Sequence, residues 1–187
     1  MIAESCYWKD DLLKHAKSLR SRKSQKRWPE VSFARFEQTI MLGCYSIRKL
    51  IEATKLSCST NDRQIKLVSY PWTGKTVTLM NWHHIDRHYD LESPTDETCG
   101  LLFLCHQIVH SFVFMPAFDE NTLLDGMVFT SDRYRHKKLH HVQIDDIITL
   151  FEHVGRDYPN KMSMVFNPDR QDYDVTSEMT ADAEWAT

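Results

Sequence analysis

The segment EVSFARFEQTIMLGCYSIRKLIEAT, residues 30–54, carries the most regular pattern in the chain. Its apolar residues recur at steps of three and four, which places them on one face of an α-helix. They are Phe33, Phe36, Ile40, Cys44, Ile47 and Ile51. Such a helix must bury its apolar face against a sheet or another helix. Residues 30–56 are therefore expected to form the core helix of the fold.

A basic helix is predicted before it, over residues 1–28. Four apolar residues recur there at helical spacing between charged ones. They are Trp8, Leu12, Ala16 and Leu19. The dipeptide Trp28-Pro29 separates the two helices, because proline suits the first turn of a new helix. The first part of the chain is thus predicted to be a pair of helices.

The rest of the chain changes its apolar period to two in several places. Strands are predicted over about 65–70, 76–80, 112–118, 126–131 and 139–144, and helices over about 82–89, 97–110 and 146–153. Because these elements are segregated rather than strictly alternating, the pattern favours an α+β fold. We expect one domain, residues 1–167, in which the N-terminal helical pair packs on a mainly antiparallel sheet of about five strands with further short helices.

The remainder of the chain divides into two regions. Residues 64–167 form the sheet-containing region, because all the predicted strands fall there. Residues 168–187 are acidic and contain few apolar side chains, so they are expected to form a mobile tail.

The composition excludes a disordered chain and a membrane-embedded one. Of 187 residues, 42% are hydrophobic and 26% are charged, as in soluble globular proteins. The longest apolar stretch, Leu101–Cys105, is far shorter than the ~20 residues that span a bilayer, and the N-terminus does not resemble a secretory signal. Five cysteines without a CxxC pair indicate free thiols. These features predict a cytoplasmic protein that does not contact a membrane.

Charge is divided unevenly along the chain. Residues 1–50 carry 11 Lys and Arg against 5 Asp and Glu, whereas residues 151–187 carry 3 against 8. This division suits a protein partner, head-to-tail self-association or, alternatively, nucleic acid. The expected function is that of a non-enzymatic binding or accessory protein that uses the basic helix and the acidic tail. The candidate partner-binding residues are Lys14, Lys17, Arg20, Arg22, Lys23, Lys26 and Arg27.

Two histidine pairs indicate an alternative, a metal-dependent hydrolase or nuclease. His84 and His88 are four residues apart, and so are His106 and His110. Each pair would share one face of its helix, and the four imidazoles together would suit zinc or another divalent metal that activates water. The chain lacks the His-Glu-x-x-His motif, so no general base stands beside either pair. The binding hypothesis itself requires no cofactor.

A second enzymatic alternative rests on Arg135 and His140. The segment RHKKLH, residues 135–140, resembles the short catalytic motif of HEPN-type ribonucleases. This resemblance implies that the arginine and the histidine lie on a helix and act on the 2′-hydroxyl and phosphate of RNA. The residues that follow, Leu139, Val142 and Ile144, are instead typical of a turn that enters a strand.

Several segments resemble small bacterial proteins of unassigned function. They are residues 46–56, 67–71, 81–86, 105–114 and 144–147. The resemblance extends over about residues 30–155 and implies a cytoplasmic bacterial protein. It implies no activity, because none of these segments is a catalytic motif.

Overall fold

The computed structural model describes residues 2–180, which contain six helices and seven strands. The helices are α1 (Ser5–Arg22), α2 (Glu30–Glu52), α3 (Cys58–Asn61), α4 (Ile85–His88), α5 (Leu101–Val109) and α6 (Ile144–Gly155). The strands are β1 (Gln64–Pro71), β2 (Thr95–Gly100), β3 (Ser111–Phe118), β4 (Leu124–Ser131), β5 (Lys138–Gln143), β6 (Lys161–Asn167) and β7 (Asp172–Glu178).

The predicted N-terminal pair of helices is present, and α1 packs against both α2 and α6. Two glycines permit this close packing. A Cβ atom on Gly155 would lie 2.7 Å from Cδ2 of Leu13 on α1, and one on Gly43 of α2 would overlap the ring of Phe151 on α6. The three long helices therefore approach one another at points where no side chain intervenes.

The apolar face of α2 points into the main core, as its spacing predicts. Phe36, Ile40, Cys44 and Ile47 are fully buried. Only the ends of the predicted face differ, since Phe33 remains 39% exposed and Ile51 is only half-buried. The start of α2 thus extends past the edge of the core.

Five strands form one antiparallel sheet in the order β2-β1-β5-β4-β3. Alternate side chains enter the main core beneath the helices; among them are Ile65, Leu67, Phe129 and Val142. The helices thus pack on the sheet, and the prediction of an α+β fold with a five-stranded antiparallel sheet is confirmed.

A second, smaller core lies on the other face of the sheet. Val113, Val128 and Leu139 point there from three strands, and they are covered by Val77 and Tyr89. Both covering residues belong to the segment between β1 and β2, which crosses this half of the sheet.

That segment differs from its prediction. Residues 76–80 form a loop rather than a strand, and the predicted helix over 82–89 is reduced to the single turn α4. The side chain of Asn81 accepts a hydrogen bond from the backbone N–H of Thr78 at 2.7 Å, so it closes a turn instead of capping a longer helix.

The predicted helix over 97–110 is also corrected. Its first residues belong to β2, which pairs with β1 in the register Leu67↔Glu97 and Ile65↔Cys99. The strand is mostly exposed, so its polar sequence gives little alternation of apolar residues. The helix begins only at Leu101, where the apolar side chains start.

The expected boundary at residue 167 falls inside a hairpin. Strands β6 and β7 pair with each other from Lys161↔Glu178 to Asn167↔Asp172, apart from the main sheet. The first half of the predicted acidic tail is therefore a strand. Residues 181–187 lie outside the part of the chain that the structure describes.

The cysteines and the apolar character of the helices bear on the expected class of protein. All five cysteines are free thiols, as predicted. Between residues 2 and 180, no helix has both the length and the apolar character needed to cross a membrane.

Candidate functional site

The basic helix uses several of its charges within the chain. Arg20 donates to Glu152 at 2.8 Å and Lys23 to Asp145 at 2.6 Å, so both bind carboxylates of α6. Lys14 pairs with Asp11 one turn away. Of these three candidate partner-binding residues, Arg20 and Lys23 therefore stabilise the packing of α1 on α6, and Lys14 stabilises α1 itself.

The other four candidates differ in their surroundings. Arg22 is half-buried, and burial together with the nearby Arg35 lowers its pKa. Lys17, Lys26 and Arg27 are exposed and form no ion pair with any residue in the range 2–180. The cations open to a partner thus lie at Lys17 and at the end of the basic segment.

The first histidine pair does not form the predicted motif. His84 precedes α4 with φ −86° and ψ 62°, outside the helical region, so it does not share a helix face with His88. His88 is buried, and its Nε2 donates to the carbonyl oxygen of Asn81 at 3.0 Å. This histidine therefore holds the loop that precedes it.

The second pair is arranged as predicted, but beside a cation. The rings of His106 and His110 have their centroids 6.3 Å apart at the end of α5. Nη1 of Arg48 lies 3.4 Å from Nε2 of His110. A guanidinium at this distance repels a metal ion, since both are positively charged.

The four histidines do not form a shared metal centre in the structure. In the described part of the chain, no three His, Cys, Asp or Glu side chains are close enough together to hold a metal ion. The pair on α5 opens into a pocket that His84 and His88 do not line.

Arg135 and His140 lack the helical context that the ribonuclease motif requires. Arg135 lies in the turn between β4 and β5, with its guanidinium 4.1 Å from the ring centre of Phe112. His140 lies on β5, is fully buried, and has Nδ1 3.0 Å from Oε1 of Glu97. Burial lowers the pKa of His140 more than Glu97 raises it, so the imidazole is a neutral core group.

A pocket of about 570 Å³ opens where α2, α5 and the end of β4 meet. Helix α2 contributes Arg48, and α5 contributes Phe103, His106 and Gln107, with His110 directly after it. The remaining wall is the segment 131–134, SDRY. We refer to this cavity as the Arg48 pocket.

Hydrogen bonds fix the walls of the Arg48 pocket. Oε1 of Gln107 accepts from the backbone N–H of Ser131 at 3.1 Å, which ties α5 to the end of β4. The backbone N–H of Asp132 donates to the carbonyl oxygen of His110 at 3.3 Å. The pocket is thus held by rigid elements on two sides, which favours a preformed site.

Arg48 and Arg133 bring two guanidinium groups to the lining of the pocket. Nε of Arg48 donates to Glu52 at 2.7 Å, and Lys49 donates to the same carboxylate, so Glu52 has its pKa lowered to about 2. The carboxylate is shared between two cations, and Nη1 of Arg48 faces His110 inside the pocket. Arg133 adds an exposed second guanidinium at the rim.

One carboxylate also lines this pocket, and it has a partner. Oδ1 of Asp132 lies 3.2 Å from Nη1 of Arg135. His106 is mainly neutral, because burial and then Arg48 lower its pKa below the ordinary value. Two guanidinium groups and two imidazoles therefore converge on one cavity, with Asp132 compensated at its edge.

Sequence patterns alone identify only the two histidines of this pocket. Arg48 lies on the core helix 62 residues before His110, and nothing in its neighbourhood marks it as functional. Arg133 and Tyr134 follow a strand whose end is set by pairing, so their approach to α5 depends on the tertiary fold. The sequence feature that points to this pocket is the His-x-x-x-His spacing of His106 and His110.

No family model, curated protein or solved structure gives a significant match to the chain.

Proposed function

We propose that the protein binds a small phosphate ester, of the nucleoside phosphate class, in the Arg48 pocket and acts as a binding protein rather than an enzyme. The observation that carries this proposal is the placement of Arg48 against His110, with His106 one turn away. Guanidinium groups bind phosphate through two parallel hydrogen bonds, which makes arginine the preferred residue for phosphate recognition.

The state of the arginine supports this role. Glu52 holds Nε, which orients the guanidinium and leaves its far side toward the pocket. A bound phosphate would add negative charge beside His106, and this favours protonation of that ring. The end of α5 also favours positive charge there, because the C-terminal carbonyls of a helix carry partial negative charge.

The rest of the pocket suits an organic group attached to the phosphate. Its volume falls within the ~300–1,000 Å³ that is typical of small-molecule sites. Phe103 and Tyr134 line it, with ring centroids 5.6 Å apart. Aromatic walls of this kind accept a nucleobase by stacking.

The earlier alternatives are weaker proposals. A metal-dependent hydrolase would need ligands beyond His106 and His110, and Arg48 opposes a metal between them. A ribonuclease based on Arg135 and His140 would need His140 to reach solvent, yet its side chain is enclosed among Phe103, Phe129 and Tyr134. We place the protein in the cytoplasm, in keeping with its free thiols.

Isothermal titration with adenosine monophosphate tests the proposal. Arg48→Gln should weaken binding by at least about tenfold, because one charged, bidentate contact is lost. Lys66→Gln is the matched control, since this exposed lysine lies in a groove on the other face of the sheet, and it should leave the affinity within about twofold.

Two results would contradict the proposal. The wild-type chain would show no saturable heat with adenosine monophosphate or inorganic phosphate, or Arg48→Gln and Lys66→Gln would have equal effects. Circular dichroism of both variants checks that each chain keeps its fold.

A further inference from the structure

The hairpin of β6 and β7 has one apolar face, which is covered at its base, near Ser177, and exposed over its outer part in the described chain. Side chains on this face alternate along both strands, and the register places Met164 opposite Val175 and Phe166 opposite Tyr173. Met164 is 57% exposed and Phe166 is 55% exposed. We refer to residues 161–178 as the hairpin arm.

Within residues 2–180, the hydrogen bonds that attach the arm to the rest of the fold lie near its base. Oγ of Ser177 donates to the carbonyl oxygen of Leu56 at 2.5 Å, and the Ser177 N–H points to Sγ of Cys58 at 3.4 Å. Beyond this point every residue of β6 up to Phe166 is exposed. A two-stranded hairpin is marginally stable by itself in water, so the arm needs a surface to pack on.

The chemistry of the arm defines that surface. The arm carries four carboxylates, at Asp169, Asp172, Asp174 and Glu178, against Lys161 and Arg170. Its occupant must therefore offer apolar groups with free cations beside them.

An exposed aromatic cluster with free cations beside it lies near the start of α2, where the exposed acidic residues Glu30, Asp119 and Glu120 also adjoin it in the sequence. The rings of Trp28, Phe33 and Phe118 lie with centroids 5.2–6.4 Å apart, and the last two are partly exposed. Lys26 and Arg27 border this cluster, are exposed and form no ion pair with residues 2–180. We refer to the three aromatic residues and these two cations as the Trp28 patch.

The arm cannot reach the Trp28 patch of its own molecule. The patch begins just before α2, whereas the arm is attached at Leu56, just after α2. Helix α2 has 23 residues, which makes it about 35 Å long. Each strand of the arm has 7 residues, or about 23 Å.

We propose that the hairpin arm docks on the Trp28 patch of a second copy of this chain. Phe166 and Met164 pack against the aromatic cluster, and the carboxylates of the arm face Lys26 and Arg27. The contact joins two different surfaces, so it closes into a dimer when each arm reaches the other patch and extends into longer assemblies when it does not.

Sedimentation velocity on the full chain tests this contact. The wild type should associate as its concentration rises through the micromolar range, and Met164→Asp/Phe166→Asp should raise the dissociation constant at least about tenfold. Ser163→Asp/Val165→Asp is the matched control. It adds the same two charges to the same strand, but on the opposite face of the arm, and should change association less than about threefold.

A mixing experiment identifies the docking surface. Lys26→Glu/Arg27→Glu should also abolish association, because it reverses the charge of the patch. We call this the patch variant, and Met164→Asp/Phe166→Asp the arm variant. The patch variant has an intact arm and the arm variant has an intact patch, so a mixture of the two should form a complex that contains one chain of each. That result also shows that both variants are folded.

Three outcomes would overturn the proposal. The wild type would remain monomeric up to about 1 mM, far above ordinary dissociation constants for specific contacts. The patch variant would associate as well as the wild type, which would assign the arm to another surface. The mixture of the two variants would fail to form a complex.

Discussion

Nη1 of Arg48 lies 3.4 Å from Nε2 of His110, although 62 residues separate them in the sequence. The contact joins the core helix α2 to the end of α5 and places a cation beside an imidazole in the lining of the Arg48 pocket. The guanidinium of Arg48 thus faces the pocket with its position fixed at both ends, by Glu52 and by His110, and this relationship gives the pocket its proposed preference for anions.

Anion binding in the Arg48 pocket should become tighter as the pH falls. Burial and Arg48 lower the pKa of His106 in the free protein, and a bound dianion favours its charged form. Binding therefore takes up a proton. The affinity for the anion can increase by up to about tenfold for each unit by which binding raises the pKa of His106. Sulfate is the suitable probe, because its charge is constant between pH 5 and pH 8.

The variant His106→Asn should lose much of this pH dependence while it keeps a measurable affinity through Arg48. Titration calorimetry at several pH values gives both quantities. A sulfate affinity that is independent of pH in the wild type would be inconsistent with the role given to His106.

Lys9 and Asp157 should be strongly coupled in their effect on stability. Nζ of Lys9 donates to the carbonyl oxygens of Lys55 and Asp157, while Oδ2 of Asp157 accepts from the backbone N–H of Ser57 at 2.8 Å. Both side chains are almost fully buried. Lys9→Met should cost about 3 kcal/mol of unfolding free energy, because it leaves two buried carbonyl oxygens without their donor and removes the positive charge near the buried carboxylate of Asp157.

Urea denaturation of a double-mutant cycle measures this coupling. Addition of Asp157→Asn to Lys9→Met should cost less than Asp157→Asn does in the wild type, because the uncompensated charge is gone. Strictly additive effects of the two substitutions would show that the two groups do not compensate each other.

Gly43→Ala should destabilise the fold by about 1–3 kcal/mol, the usual effect of overpacking. The added methyl group would overlap the ring of Phe151, which is fully buried between the helices. Phe151→Leu should restore part of the loss in the double variant. Gly100→Ala is the control, because its nearest neighbour, Nε2 of Gln64, would be 4.0 Å from the new methyl group. Thermal melting curves of the four variants would refute the packing argument if Gly43→Ala and Gly100→Ala melted alike.

Acid should destabilise the wild type more than His140→Leu. Burial lowers the pKa of His140 below its ordinary value of 6.5 in the folded chain. The unfolded chain therefore takes up the proton at a higher pH than the folded chain does. As the pH falls from 6.5 to the folded pKa of His140, this residue lowers the free energy of unfolding. Below the folded pKa it causes no further loss. The leucine variant lacks this contribution. Chemical denaturation at pH 7 and pH 5 provides the test, and equal losses in the two proteins would count against it.

The parts of the fold that sequence analysis predicts are those whose apolar pattern is local. Helix α2 and strand β1 bury the faces that their spacing indicates, since periodicity depends only on neighbouring residues. The sequence pattern predicts a helix where β2 lies, because β2 is an edge strand with polar side chains and its partner β1 lies about 30 residues away.

The candidate site was predictable only in part, for the same reason. The sequence shows the spacing of His106 and His110. It does not indicate that Arg48 is their partner, because Arg48 lies on the core helix α2, whose pattern indicates only a structural role. The charges of α1 were visible as a group, whereas their division into paired and free residues depends on Asp145 and Glu152 of α6. Long-range pairing of this kind is decided by the tertiary fold.

Nuclear magnetic resonance of the histidine imidazoles, recorded while adenosine monophosphate is added, tests the central proposal most directly. The account predicts that the ring signals of His106 and His110 shift together and saturate, and that those of His84 and His88 stay in place. It also predicts that Arg48→Gln removes the shifts. Shifts that are absent from His106 and His110, or that persist unchanged in Arg48→Gln, would contradict the assignment of the Arg48 pocket as a phosphate-ester site.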